Sequence, residues 1–390
     1  MTAGRVYMLC NALDDTVRIA RGISTDSPAA TRKIVMMMQA LRSAGVRPAI
    51  LSLGRGRQDG SGRDHPAFAG RIGGIPVAYG RFVNRPLLSQ LASLVAPLPI
   101  LWSRRRRARA TTLLLYNRMF SHLPALWLAW ALGYRVMLDL EDGEVPKGGR
   151  LSLRSRILVA ATDRFCREGA LLACTALEAA TRLRPAAPYY GVVAISEQPR
   201  DFSAPVLHAL LGGTVDTSTG ADLLLEALRL LSREQPALAA QLHVHVTGAG
   251  AMIDAFREAP ATPQVTVHGR LTAREYQALL ARCGIGFALK PNGGGLADTT
   301  FPSKVTEFAG QGMLAVTTDI SDVRAVLGDG ALYLTRNDPA VLASLIATAL
   351  RDRAEAARRA ALGQRNAALR CGADEAAAFL ARFLTRGQAA

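Results

Sequence analysis

"VLHALLGGTVDTSTGADLLLEALRLLSRE", residues 206–234, starts as an apolar run of strand length, turns through two glycines and continues with leucines at helical spacing. Strand, glycine turn and amphipathic helix in one short stretch form the opening of a parallel crossover unit. The turn at 212–214 has a second property: backbone without Cβ atoms can approach a diphosphate closely. Any strand-to-helix turn favours glycine, so the turn by itself does not name a ligand.

Working outward, the same rhythm fills the chain. Strands are expected at 242–248, 264–270, 284–290 and 313–318, with helices at 250–258 and 272–283 and one entered through "FPSK" at 301–304. The first half repeats it, with strands at 5–10, 47–53, 111–116, 135–142 and 170–175 and helices at 28–45, 123–133, 151–167 and 176–184. Pro28 behind Asp26 and Ser27 marks a helix start, and Gly45 its end. Alternation of this kind predicts an α/β protein of two Rossmann-like, doubly wound parallel-sheet domains. Ligands bind such sheets beyond the carboxyl ends of the strands, so two facing halves would form a cleft.

Between 185 and 205 the alternation lapses and four prolines occur. The expected division is 1–190 for an N-terminal domain, 191–205 for a linker and 206–370 for a C-terminal domain. Residues 371–390 would be a last helix packing back on the N-terminal domain.

A chain of 390 residues exceeds one ordinary core, and 49% apolar with 20% charged residues is globular composition. The formal charge of +16 favours an anionic neighbour, whether nucleic acid, lipid head group or phosphorylated substrate, although most basic residues are arginine in an Arg-rich chain. Three tryptophans, with no aromatic platform or zinc motif, leave nucleic acid with charge alone behind it, and no nucleic-acid partner is expected. Cys10, Cys166, Cys174, Cys283 and Cys371 form no CxxC pair and read as buried thiols of a reducing compartment. Neither a secretory leader pattern nor eighteen uninterrupted apolar residues occurs, which predicts a cytoplasmic protein.

One stretch adds a membrane to that expectation. Residues 85–110 run Leu87, Leu88, Leu91, Leu94 and Val95 into Trp102 and Arg104 to Arg107. Pro97 and Pro99 argue against a spanning helix. The segment reads either as a peripheral contact with an anionic membrane at the inner face, or as a core helix followed by a solvated basic loop.

"TTFPSKVTEFAGQG", residues 299–312, brings a proline and a serine to a helix start and then a lysine and a glutamate within one turn. Unpaired amides and the positive end of the helix dipole would suit a phosphate there. Ser303 and Lys304 add a hydroxyl and a cation. The plain alternative is a surface pair between Lys304 and Glu307.

In order, "GGTVDTSTGADLLLEAL", "LHVHVTGAG", "VTVHGRLTAREYQALLARC" and "FPSKVTEFAGQGMLAVTT" resemble the donor-binding domain of GT-B fold glycosyltransferases, especially family four, whose members belong to glycosyl transferases group 1. The first half resembles the acceptor domain in its alternation and in "VMLDLED". The resemblance implies a transferase moving a hexose-like sugar from a nucleotide-diphosphate sugar to a glycan or lipid-linked acceptor in cell-surface polysaccharide assembly. It implies retention of configuration, needs no metal, and makes the nucleotide sugar a substrate with no further cofactor. Glu307 would hold the ribose. Gly213, Thr214, His268, Gly269, Arg270, Lys290, Phe301, Pro302, Ser303 and Lys304 would complete the donor site.

The sequence also departs from the family. Thr214 and Thr219 stand where an arginine and a lysine usually meet the diphosphate, and Thr299, beside Asp298, stands where the pattern expects a second glutamate. An inactive sugar-nucleotide-binding subunit and a GT-B sugar-nucleotide epimerase therefore stay open. For the acceptor proton the candidates are Glu141 and Asp142 in "DLED", where Asp139 adds a third carboxylate and mutual repulsion would raise a pKa; Asp298 is a further catalytic candidate. His122 and the loop 24–27 are expected on the acceptor side. His243 and His245 read as strand residues without metal-ligand companions.

Overall fold

The computed structural model describes residues 4–23, 26–53, 55–57, 62–143, 150–293, 297 and 299–386. The chain divides into two units, residues 1–192 with 373–390, and residues 193–372.

The first unit runs β1 (Arg5–Cys10), α1 (Asp15–Ala20), α2 (Pro28–Ser43), β2 (Arg47–Ser52), β3 (Phe68–Ile72), β4 (Ile75–Tyr79), α3 (Pro86–Val95), α4 (Leu98–Ser103), β5 (Thr111–Tyr116), α5 (Leu123–Ala131), β6 (Arg135–Leu140), α6 (Leu153–Phe165), β7 (Ala170–Leu172) and β8 (Ala186–Pro188). Its sheet has the order β3-β4-β2-β1-β5-β6-β7-β8, parallel except for the β3–β4 hairpin. That hairpin turns through Gly73 and Gly74, both at positive φ, and the sequence reading passed over it. Helix α2 starts where its sequence says, with Ser27 Oγ accepting from the Ala30 amide at 3.2 Å. Residues 175–180 form a 3-10 turn where a longer helix was expected, and 186–188, inside the proline-rich stretch, form the edge strand β8.

The second unit runs β9 (Leu207–Thr214), α7 (Ala221–Glu234), α8 (Pro236–Ala239), β10 (Leu242–Ala249), α9 (Ile253–Arg257), β11 (Gln264–Gly269), α10 (Ala273–Arg282), β12 (Ile285–Ala288), α11 (Lys304–Gly310), β13 (Leu314–Thr318), α12 (Val323–Leu327), β14 (Ala331–Leu334), α13 (Pro339–Arg351) and α14 (Arg353–Cys371). Its strands are all parallel in the order β11-β10-β9-β12-β13-β14, the doubly wound arrangement. Strands β12 and β13 are buried at every position, as sheets covered on both faces require. Helix α7 buries Leu223, Leu224, Leu225, Leu228 and Leu231, each contributing roughly 1.5–3 kcal/mol. The last helix, α15 (Ala373–Leu384), belongs to the first unit and packs on α2.

Two features of the second unit position its site. The strand order reverses between β9 and β12, so a crevice opens beyond their carboxyl ends. Helix α11 lies close against β12 because Gly286 has no side chain; a Cβ there would stand 2.3 Å from the Phe308 ring.

Candidate functional site

At the carboxyl end of β9, Gly213 is exposed at φ +110, and Gly248 at the end of β10 has φ +121. A Cβ on Gly248 would sit 1.7 Å from the Gly213 carbonyl oxygen, so bare backbone is required where the two strands end. Lys304 lies over this edge, its Cε 3.9 Å from where a Gly213 Cβ would be.

Lys304 Nζ donates to Tyr276 Oη at 2.7 Å and to Glu307 Oε2 at 2.9 Å, and Tyr276 Oη donates to the same carboxylate oxygen at 3.2 Å. The ammonium also lies 4.5 Å from the centre of the Tyr276 ring. The Lys304 and Glu307 side chains each keep 20% of their surface exposed, enough for a ligand to reach both. Tyr276 is buried on α10 beside Leu279 and Leu280. At that helical spacing it reads from sequence as a core residue, which is why it was not among the expected site residues.

Lys290 follows β12 at the same crevice, and its Nζ donates to Thr300 Oγ1 at 2.6 Å. The nearby Phe301 is buried and Pro302 partly so. Helix α11 begins at Lys304, two residues later than "FPSK" suggested. Ser303 is already helical and its side chain makes no cap bond, while the Pro302 and Ser303 carbonyls accept from the amides of Val305 and Glu307. At the turn after β9, Thr219 Oγ1 donates to the Thr214 carbonyl at 2.8 Å and closes a capping box with Asp216. The Thr219 side chain is therefore occupied in shaping the turn. Gly269 and Arg270 end or follow β11, the edge strand two spacings from β9, about 10 Å away. Asp298 and residues 294–296 lie outside the described residues.

His268 is drawn elsewhere. Its Nε2 is 2.9 Å from His245 Nδ1, and His245 Nε2 is 2.8 Å from His208 Nδ1. His243 Nε2 meets Thr266 Oγ1 at 2.8 Å. The expectation that His243 and His245 lack companions is thus corrected: parallel register puts His208 beside His243, and period-two alternation puts His245 on the same face.

In the first unit, β6 ends in the three carboxylates, and their environment differs from the expected mutual repulsion. Lys33 Nζ of α2 donates to Asp139 Oδ1 at 3.3 Å and is ion-paired with Glu141 as well. Asp139 is 1% exposed, and burial, opposed by Lys33, pushes its carboxyl above the ordinary range. Burial likewise lowers Lys33, opposed by Asp139 and Asp142. Asn117, held at φ +57, accepts the Glu141 amide at 2.7 Å and fixes the turn that leaves Asp142 exposed. Only four of the 47 basic residues are lysine, Lys33, Lys147, Lys290 and Lys304. Lys33 was not among the expected site residues, and the scarcity of lysine in an arginine-rich chain is the signal that could have pointed to it. His122 is fully buried, which lowers its pKa to about 4, so it lines no open surface. Ser24 and Thr25 lie outside the described residues.

Helices α3 to α6 of the same unit carry unusual apolar exposure. Leu87 is 77% exposed and Leu91 55%, and all three tryptophans, Trp102, Trp127 and Trp130, are exposed. Helix α5 packs against α3, α4 and α6, so these side chains lie on neighbouring elements, and Arg104 to Arg107 follow directly. Behind α3 and α4 lies a largely apolar pocket of about 700 Å³, lined by Leu9, Leu53, Phe68, Tyr79, Ile100 and Arg104 among others. Among the described residues no helix is long and apolar enough to cross a membrane.

Residues 208–352 match the family Glycosyl transferases group 1. The group 1 match spans the crevice described above, from β9 to α13. No curated protein matches the chain at a significant level. Among solved structures, the chain is similar to Anabaena HepE in complex with UDP-glucose, at 16% identity and TM-score 0.68, covering 97% of this chain and 98% of that one. It is similar also to the α,α-trehalose-phosphate synthase (UDP-forming) of Burkholderia vietnamiensis, at 14% identity and TM-score 0.63, covering 100% and 99%. At such identity the likeness establishes the fold, which is GT-B, with two Rossmann-like units.

Proposed function

We propose that the protein is a glycosyltransferase that moves a sugar from a uridine-diphosphate donor to a lipid-linked or glycan acceptor. The reading is carried by the Lys304–Tyr276–Glu307 group beside the bare backbone of Gly213. Glu307 accepts hydrogen bonds from the two ribose hydroxyls. Lys304 shifts from Glu307 toward the diphosphate and stabilises the charge that develops as the glycosidic bond to it breaks. Lys290 supplies a second cation, which replaces those missing at Thr214 and Thr219. Uridine is favoured because HepE was solved with UDP-glucose on the same fold.

On the acceptor side the first unit supplies the residues. Asp142 is exposed and Glu141 is held by Lys33, so Asp142 is the candidate base for the acceptor hydroxyl. The exposed apolar side chains, tryptophans and arginines of α3 to α6 suit an anionic membrane surface, where a lipid-linked acceptor resides. This surface supports a role in polysaccharide or lipid-linked glycan assembly at the inner face of a membrane.

A thermal-shift screen of nucleotides and nucleotide sugars tests the donor assignment. UDP and a UDP-sugar are expected to raise the melting temperature, by about 2.7 kcal/mol of stabilisation at a hundredfold excess over Kd. No shift with any uridine nucleotide would overturn it. A second reading is favoured by the Thr214–Thr219 turn, which supplies no basic side chain of its own. It makes the protein a sugar-nucleotide-binding subunit, and it requires nucleotide binding without turnover on any acceptor.

A further inference from the structure

Four of the six histidines in the chain, His208, His243, His245 and His268, meet on one face of β9, β10 and β11. One nitrogen from each of His208, His243 and His245 lies within 4.8 Å of the others. His208 is the second residue of β9, six residues before Thr214, so about 20 Å of extended chain separates this cluster from the end of the strand that carries the donor crevice. We propose that His208, His243 and His245 form a binding site for a borderline-soft divalent transition-metal ion of the zinc class, separate from the donor site.

The outer hydrogen bonds already orient the rings for this. His245 Nδ1 is engaged by His268 and His243 Nε2 by Thr266, which leaves Nε2 of His245 and Nδ1 of His243 as the ligating atoms. Metal-bound histidines are typically fixed in this way through the nitrogen opposite the metal. His208 Nδ1, now 2.8 Å from His245 Nε2, is the third ligand. Zinc bonds of about 2.0–2.1 Å place tetrahedral ligand nitrogens about 3.3 Å apart. Side-chain shifts of up to about 1.5 Å bring nitrogens now 2.8 to 4.8 Å apart to that spacing, as the proton between His208 and His245 moves to the outer nitrogen of its ring. His208 and His243 are partly exposed, so an ion can enter and water can fill the fourth position. Arg282 opposes the ion, since its charge acts on all four rings.

The test is titration of the metal-free full chain with Co(II), followed by visible absorption, with Zn(II) competition by calorimetry. One equivalent of Co(II) should give the intense bands of a tetrahedral site, and Zn(II) should displace it. His208→Ala and His243→Ala should abolish the bands without a change in the thermal unfolding of the metal-free protein. His268→Ala, which removes only an orienting partner, should weaken binding on the order of 10- to 100-fold. Arg282→Ala should tighten it. Absence of a stoichiometric tetrahedral spectrum, or a spectrum that persists in both His208→Ala and His243→Ala, would overturn the proposal. UDP binding is read separately and should be unchanged in His243→Ala.

Discussion

Lys33 of α2 donates to Asp139 at the end of β6 across 3.3 Å, and the carboxylate is almost completely buried. Lys33→Met leaves that charge without its cation and should destabilise the protein by about 3–5 kcal/mol in urea unfolding. The loss should shrink on acidification: a carboxyl whose folded pKa is raised binds its proton more tightly when folded, so its penalty grows as pH rises. Adding Asp139→Asn should recover much of the stability at neutral pH.

Glu307→Gln tests the donor crevice. The ribose should lose one charge-assisted hydrogen bond, about 1.5–3 kcal/mol, so UDP affinity should fall roughly ten- to hundredfold. The Lys304–Glu307 pair is partly exposed, so unfolding free energy should move by less than about 1 kcal/mol. Unchanged UDP affinity by calorimetry would remove Glu307 from the site.

Gly248→Ala should cost about 3 kcal/mol or more, because the new methyl meets the Gly213 carbonyl and the backbone sits at positive φ. Gly213→Ala meets no such clash and should cost about 1–3 kcal/mol from its φ alone. Chemical denaturation of the two variants separates the effects.

His122 gives the first unit an acid sensitivity. Its pKa is about 4 when folded, while an unfolded histidine titrates near 6.5. The unfolded chain therefore takes up the proton first, and stability present above pH 6.5 is lost as pH falls toward 4. The gap corresponds to roughly 3 kcal/mol over that window. In His122→Leu the loss of unfolding free energy between pH 6.5 and 4 should be smaller by that amount.

Co-sedimentation with anionic vesicles tests the helical surface. Replacing Arg104, Arg105, Arg106 and Arg107 by serine should weaken binding by two to three orders of magnitude, at about 1 kcal/mol per arginine. Raised salt should mimic the change. Leu87→Ser with Leu91→Ser should weaken it further, and pelleting unaltered by all six changes would show that this surface does not bind lipid.

Alternating strand and helix patterns, the strand–glycine–helix opening at 206–234 and the order of its motifs made the two parallel sheets legible before any coordinates. They are local properties, written in the spacing of apolar residues and in turn chemistry. The hairpin of β3 and β4 escaped because its strands are short and half exposed, and β14 because four residues carry little periodicity. Partnership across the fold was a different matter. Lys33 and Asp139 are 106 residues apart, Tyr276 and Glu307 31, and His208 and His245 37 in sequence. Sequence determined which residues could carry charge or bind a ligand; strand order and helix packing decided which of them meet, because a side-chain contact depends on register and on distances that no local pattern encodes.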